Sequence, residues 1–396
     1  MSSDRGVINV LDAELHSRMI EVRRHLHRHP ELSNHERETQ IYLKAALKAQ
    51  GLRDVREVAG FGLAVDIVGS AAQSNRKVVI RADIDALPIE EQSGELFASE
   101  NIGVMHACGH DAHSAMGYAA AVLFHRGRDR FCGTVRMIFQ PAEEAEPVGG
   151  RRIVSEGLLD DVDGAIGIHV DPYMPTGVLA FGSGPYTLAS DNFDVVVSGS
   201  SAHAAKPSEG VDAIAVACSM VSELQKIVSR EIDPFDPLVV SVTGIEGGGA
   251  YNVIASKVTL KGTIRSGADA TRNRARKRVT QILEGIAACH GASVTVAITQ
   301  GEPAVFNDPE MTEIVRRNAT KLFGAERAII APGWTAADDF GYYSEKRPSV
   351  YFRLGIRNEV SGSVYPLHHP KFRVDESALS TGVLTLVATA QEFLEI

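Results

Sequence analysis

Cys108 and His110 in MHACGHDAH, Glu144 in QPAEEAE, His169 in IGIHV and His368 in PLHHP can all bind a metal, and they sit where predicted strands give way to loops. A thiolate, a carboxylate and three imidazoles suit one divalent transition ion or a pair. Glu143, beside Glu144, is a spare carboxylate able to handle a proton. This pattern points to a metal-dependent hydrolase.

Taken singly, each group has a plainer explanation. Zinc-binding pairs are usually further apart than Cys108-x-His110, and a lone cysteine is more often buried filling. An isolated Glu-Glu pair is more often a solvated turn, although Pro141 and the buried strand before Glu143 argue otherwise. Asp83 and Asp85 in RADIDALP close a buried strand, where carboxylates need cations or donors, so both are candidates to support metal ligands, as is Asp111 beside His110. His106 and His113 either orient ligands or are hydrogen-bonded structural groups, and His25, His27 and His29 are expected to be structural or superficial. The glycines at 247–249 lack the Lys-Ser or Lys-Thr of a phosphate loop and read as a turn. Trp334, Tyr342 and Tyr343 can line an aromatic pocket, with core packing the simpler account.

The elements that must position these groups follow from pattern. At 396 residues, two or three domains are expected from a norm of about 150 per domain. A net charge of −10 gives no global attraction to nucleic acid or anionic membrane. The start lacks an export pattern and no apolar run reaches the roughly 20 residues of a membrane span, so a cytoplasmic protein is expected. Cysteines at 108, 132, 218 and 289 are too scattered for a disulfide framework. Two helices open the chain, one stopping at Pro30 and the next running from an Asn34 start signal to Gly51. KVVIRADIDALP, GTVRMIFQ and DGAIGIHV then alternate with helical stretches, which predicts an α/β fold with a mostly parallel sheet covered by helices. In such sheets ligands bind beyond the strands' carboxyl ends, where the candidate residues fall. From about 187 to 299 the order becomes strand, helix, strand, strand, helix, strand, a ferredoxin-like insertion, and the first pattern then resumes. If His368 joins the other ligands, the first domain is discontinuous.

RRHLHRHPELS, RADIDALPIEE, MHACGHDAH, FQPAEE, IGIHV, SAHAAKP, GGGAYNVIAS, GTIRS, DDFGYY and LHHPKF occur in that order. Along nearly its whole length the chain thereby resembles the amidohydrolase branch of the dinuclear metallopeptidases. That branch contains hippurate hydrolase, N-acyl-amino-acid amidohydrolases and the plant hydrolases of indoleacetyl-amino acids. The resemblance implies a zinc-exopeptidase-like catalytic domain, 1–186 with 300–396, and a lid and dimerisation domain, 187–299. It implies Cys108, His110, Glu144, His169 and His368 as ligands of two divalent ions, with Glu143 as general base. His368 is preferred to His369 because the family's ligand directly follows Leu. It also implies that His203, Asn252 and Arg265 stabilise the oxyanion and grip the substrate carboxylate when the domains close. Taken by themselves, His203 reads as a turn residue and Arg265 as a solvated strand charge. Lys206 and Ser208 depart from the Met and His frequent in relatives, which bears on substrate detail.

Bound ions polarise an amide carbonyl and bring the pKa of water to about 7. Glu143 would take the water's proton and pass it to the departing amine. The expectation is a cytoplasmic homodimer that hydrolyses N-acyl amino acids, the acyl group acetyl, benzoyl or another aryl, with Mn, Zn, Co or Ni as the metal. Two other readings stand beside it. One is a metal-independent cysteine hydrolase using Cys108, and the other is a noncatalytic metal- or ligand-binding protein.

Overall fold

The structure, a computed structural model, describes residue 8 and residues 10–395. Residues 1–7, 9 and 396 lie outside the described residues, so most of the opening stretch read as lacking an export pattern does too. Backbone contacts divide the chain into two units. One comprises Met1–Gly184, Phe306–Gly333 and Tyr342–Ile396, and the other comprises Pro185–Val305 and Trp334–Gly341.

In the first unit, α1 (Ala13–Arg28) starts where the Asp12 side chain accepts the Leu15 N–H, and its buried Leu15, Met19, Val22 and Leu26 recur at helical spacing. The next helix, α2 (Arg37–Ala49), begins later than the Asn34 signal predicts. Asn34 adopts a left-handed conformation at φ 67, which asparagine tolerates, so it turns the chain instead of capping the helix. β1 (Arg56–Val58), β2 (Gly62–Val68), β3 (Lys77–Asp83), α3 (His110–Arg126), β4 (Thr134–Gln140), α4 (Gly149–Ser155), β5 (Gly164–Pro175), β6 (Leu179–Phe181) and β7 (Gly184–Pro185) follow.

The second unit contributes β8 (Ala189–Ser198), α5 (Ala213–Lys226), β9 (Leu238–Gly247), β10 (Lys257–Ser266), α6 (Asp269–Cys289) and β11 (Ser293–Gln300). Its strands pair antiparallel in the order β11-β8-β10-β9, the ferredoxin-like arrangement, with α5 and α6 packed on a separate core. The glycines at 247–249 end β9 in a turn, with Gly248 at φ 81.

The chain then adds β12 (Phe306–Asn307), α7 (Pro309–Phe323), β13 (Ala328–Ile330), α8 (Gly341–Lys346), β14 (Ser349–Arg357) and α9 (Leu379–Glu395). The first unit's sheet has eight strands in the order β1-β2-β4-β3-β5-β14-β6-β13. Its central strands β4, β3, β5 and β14 are mutually parallel. β3 and β4 are buried along almost their whole length, which is why they read as unbroken apolar runs. A single apolar core joins this sheet to α1, α2, α3, α7 and α9. No helix among the described residues is long and apolar enough to cross a membrane.

Candidate metal centre

Parallel pairing sets Asp83 at the end of β3 opposite Gln140 at the end of β4, so the loops that follow leave the sheet side by side. One carries Asp85 and the other Glu143 and Glu144, while His169 lies in the neighbouring β5. Between Cys108 and His110 the chain turns through Gly109 at φ 87 into the first turn of α3. A Cβ at Gly109 would lie 2.5 Å from Val170 Cγ2, so this turn against β5 requires glycine. His368 also takes a left-handed conformation, φ 63, and its N–H donates to Ala107 O at 2.9 Å, tying the last candidate ligand to the segment that carries Cys108.

Donor atoms of Cys108, His110 and His169 lie within 4.8 Å of one another, as do those of Cys108, Glu144 and His368 and those of His110, Glu143 and Glu144. Cys108 Sγ is 3.4 Å from His169 Nε2, and His368 Nε2 is 3.3 Å from Glu144 Oε1. His369 turns elsewhere: its ring stacks on Tyr365 and its Nδ1 accepts the Lys371 N–H at 3.0 Å.

For His110 and His169, partners on the far side of the ring fix the tautomer. His110 Nδ1 lies 3.0 Å from Asp85 O and 3.1 Å from Asp85 Oδ1, both acceptors, so in the neutral ring it carries the proton and Nε2 the lone pair. His169 Nδ1 likewise donates to Val170 O at 2.7 Å. His113 is engaged at both nitrogens, donating to Asp83 Oδ1 at 2.7 Å and accepting the Val170 N–H at 3.0 Å, which makes it a structural group between β3 and β5. His110 Nε2 and Glu144 Oε1 are buried without a hydrogen-bond partner, an expensive arrangement for polar atoms unless something else meets them.

The electrostatics run the same way. Burial pushes the Cys108 thiol well up, and the Glu144, Glu143 and Asp83 carboxylates push it further. Burial works against charge on His110, but Asp83, Asp85 and Glu144 outweigh it and bring the imidazole up to about 10. Burial and the neighbouring His113 take His169 well down. A thiol whose ionisation is disfavoured, an imidazole held toward its cationic form and buried polar atoms without hydrogen bonds are all relieved by a divalent cation, so these residues fit a metal site.

Asp85 stands behind two candidate ligands, since its Oδ2 also accepts the Glu144 N–H at 3.0 Å. Asp83 accepts from Arg81 and His113; burial opposes its charge, yet Arg81, His110 and His113 hold its carboxyl well below the usual range. Asp111 meets no candidate ligand in its hydrogen bonds; it accepts Arg23 Nε at 3.0 Å and His27 Nδ1 at 2.9 Å, anchoring α3 to α1. His106 is buried with neither nitrogen hydrogen-bonded. Tyr342 accepts from Arg151 at 2.8 Å, and Tyr343 is in the core. Reading the sequence missed Arg23 and Glu36 as members of the buried support, because their partners lie far away in the chain, while His27 takes the structural of the two roles expected for it. The local signal was the RRHLHRHPELS stretch, which carries Arg23 and His27.

In the second unit, His203 and Asn252 are exposed neighbours, with His203 bridged to Val253 and the Ala204 N–H donating to Asn252 O at 2.9 Å. Arg265 is half-buried on β10, its guanidinium on Thr263 Oγ1 and Ile264 O.

Residues 79–392 match peptidase family M20/M25/M40. The chain is 37% identical over 382 residues to N-acetyl-L-cysteine deacetylase of Bacillus subtilis, covering 96% of this chain and 89% of that one. It is 36% identical over 384 residues to thermostable carboxypeptidase 2 of Saccharolobus solfataricus, covering 96% of each. Among solved structures, a dinuclear metal-binding peptidase of the M20 family from Bacillus subtilis matches with a TM-score of 0.85 at 33% identity, over 97% of this chain and 99% of that one.

Proposed function

The chain belongs to peptidase family M20/M25/M40 and is a hydrolase, and from that premise we propose that it cleaves the amide bond of N-acyl amino acids, releasing a carboxylic acid and a free amino acid. The observation that carries this reading is the convergence of Cys108, His110, Glu144, His169 and His368 in two overlapping triads that share one thiol, with Glu143 alongside. In this reading those five side chains hold two divalent ions, Mn, Zn, Co or Ni. The ions supply Lewis acidity, polarising the scissile carbonyl and acidifying water. Glu143 takes the proton of the attacking water and returns it to the amine that leaves. Asp85 orients His110 and steadies Glu144.

A deacetylase of N-acetylcysteine and a carboxypeptidase both free an amino acid from an amide on its nitrogen. That shared chemistry supports a substrate with a free α-carboxylate. We assign His203 and Asn252 to the developing oxyanion and Arg265 to that carboxylate, because imidazole and amide N–H donors suit the first and a bidentate cation the second. Four free cysteines support a reducing, cytoplasmic setting. Residues 187–299 serve as lid and as the interface of a homodimer.

The electrostatics around Cys108 weigh against a cysteine hydrolase. Cys108 and His169 approach each other, yet a nucleophilic thiol needs a lowered pKa and this one is raised. The deciding experiment strips the enzyme with a chelator and resupplies Mn, Zn, Co or Ni singly. Each form is then assayed on hippurate, N-acetyl amino acids, N-acetyldiaminopimelate and indoleacetyl conjugates. Activity should vanish and return with at least one ion on at least one substrate class. Full hydrolysis by the metal-free protein would instead restore Cys108 as the nucleophile.

A further inference from the structure

The segment joining α1 to α2 contains a carboxylate that the reaction described above does not use. Glu36 is fully buried, its Oε1 accepts the Ala142 N–H at 2.7 Å, and its Oε2 has no hydrogen-bond partner. Ala142 immediately precedes Glu143 and holds a left-handed conformation, φ 51, which crowds a Cβ against the next carbonyl and persists only where its surroundings impose it. From another side the Gly149 N–H donates to Ala142 O at 2.7 Å. The approach there is so close that a Cβ on Gly149 would fall 1.8 Å from Pro141 O. On the far side of Glu143, the Glu144 N–H is held by Asp85 Oδ2, which also accepts Ser33 Oγ at 2.6 Å. The residues flanking Glu143 are thus gripped through their N–H groups by two buried carboxylates, Glu36 before it and Asp85 after it.

We propose that Glu36 is a positioning residue, fixing the left-handed Ala142 peptide and so aiming the Glu143 carboxylate; this rests on the reading of Glu143 as the base. Stability alone is a poor reason for a carboxylate here. Burial, and then the Asp85 charge, push the Glu36 carboxyl up to about 7. An apolar side chain of similar size would escape that penalty but leave the Ala142 N–H without an acceptor.

The test compares Glu36→Leu, Glu36→Gln and Glu36→Asp in the metal-reconstituted enzyme, reading kcat, KM, bound metal and melting temperature. Glu36→Leu should lower kcat roughly tenfold or more with KM within about twofold, because misaiming a catalytic group acts on the chemical step. Bound metal should match the wild type. Glu36→Gln, whose amide oxygen still accepts the Ala142 N–H, should recover kcat to within about threefold. Should the leucine variant fail to fold, Glu36→Asp, one methylene short, should show the same kcat loss in a folded protein. Wild-type kcat in the leucine or aspartate variant overturns the proposal, as does a glutamine variant no better than leucine, or loss of metal in step with kcat. Glu143→Ala, run in parallel, separates the two claims. If it hydrolyses normally, the assignment of the base has failed; if it is inactive while Glu36→Leu is normal, only the positioning role has.

Discussion

Asp85 meets two proposed ligands through different oxygens, Oδ1 at 3.1 Å from His110 Nδ1 and Oδ2 at 3.0 Å from the Glu144 N–H. Removing the Asp85 side chain leaves His110 Nδ1 the residue-85 carbonyl alone and takes away the acceptor of the Glu144 N–H, loosening both proposed ligands. Asp85→Ala should therefore weaken metal binding about 10- to 100-fold, as read by chelator competition, and unchanged affinity would refute the role. Glu143 is expected to behave oppositely: Glu143→Ala should keep its metal yet lose about 100- to 10,000-fold in kcat. Residue chemistry made these groups legible in the sequence, because few buried strand ends carry Cys, His and paired carboxylates without a task. Adjacent histidines are harder to separate from chemistry alone, and motif position favoured His368, the one whose Nε2 faces Glu144. Glu36 and Arg23 were not legible, and for His27 a structural role could not be told from a superficial one. A charged residue on an amphipathic helix reads as solvated until the tertiary partner that buries it is known, and for Arg23 that partner is Asp111, 88 positions away.

At the scale of elements, α1 and α3 are joined by a buried cluster in which His27 lies 2.9 Å from Asp111 and 3.1 Å from Glu91, with Arg23 on the same Asp111 oxygen. Burial opposes charge on His27, but Asp111 and Glu91 outweigh it, and despite Arg23 its pKa is carried up to about 9. A raised histidine pKa means the folded state holds the proton more tightly than the unfolded chain. The stabilisation is therefore complete below about pH 6.5 and fades as pH climbs through about 9. The melting-temperature deficit of His27→Gln relative to wild type should accordingly be greatest near pH 6 and shrink by pH 10; a deficit independent of pH would show that packing, not charge, joins these helices. The strands around this helix pair were readable to different degrees. β3 and β4 are continuous apolar runs separated by a helix, and the ferredoxin-like arrangement of the second unit was readable from its succession of strand, helix, strand, strand, helix and strand. β1 and β2 escaped notice because a tight turn at Ala59 and Gly60 joins them with no helix between, outside the strand–helix rhythm on which the reading relied.

For the whole molecule, the remaining question is what covers the second unit's sheet. β9 is its edge, ten residues long with Glu246 its one charged side chain; among the described residues no further strand pairs with it, and an edge of that length invites another strand. Val239 and Ile245 on it are 43% and 56% exposed, and Ile214 and Val228 nearby in sequence are exposed as well. On the opposite edge, β11, Val294, Val296 and Ile298 are packed against the unit's own core. The expected outcome for the proposed homodimer is pairing of β9 with β9 about a twofold axis, which is self-complementary for antiparallel strands. Each copy carries a net charge of −10, so added salt should screen repulsion and tighten this apolar, backbone-paired contact, whereas an ion-paired interface would loosen. In sedimentation experiments the wild type should run as a dimer that persists as salt is raised. The double substitution Val239→Lys with Ile245→Lys should give a monomer that retains its metal, since both positions lie in the unit that does not hold the proposed ligands. A wild type that stays monomeric at every concentration, or a dimer indifferent to both lysines, would remove β9 as the interface.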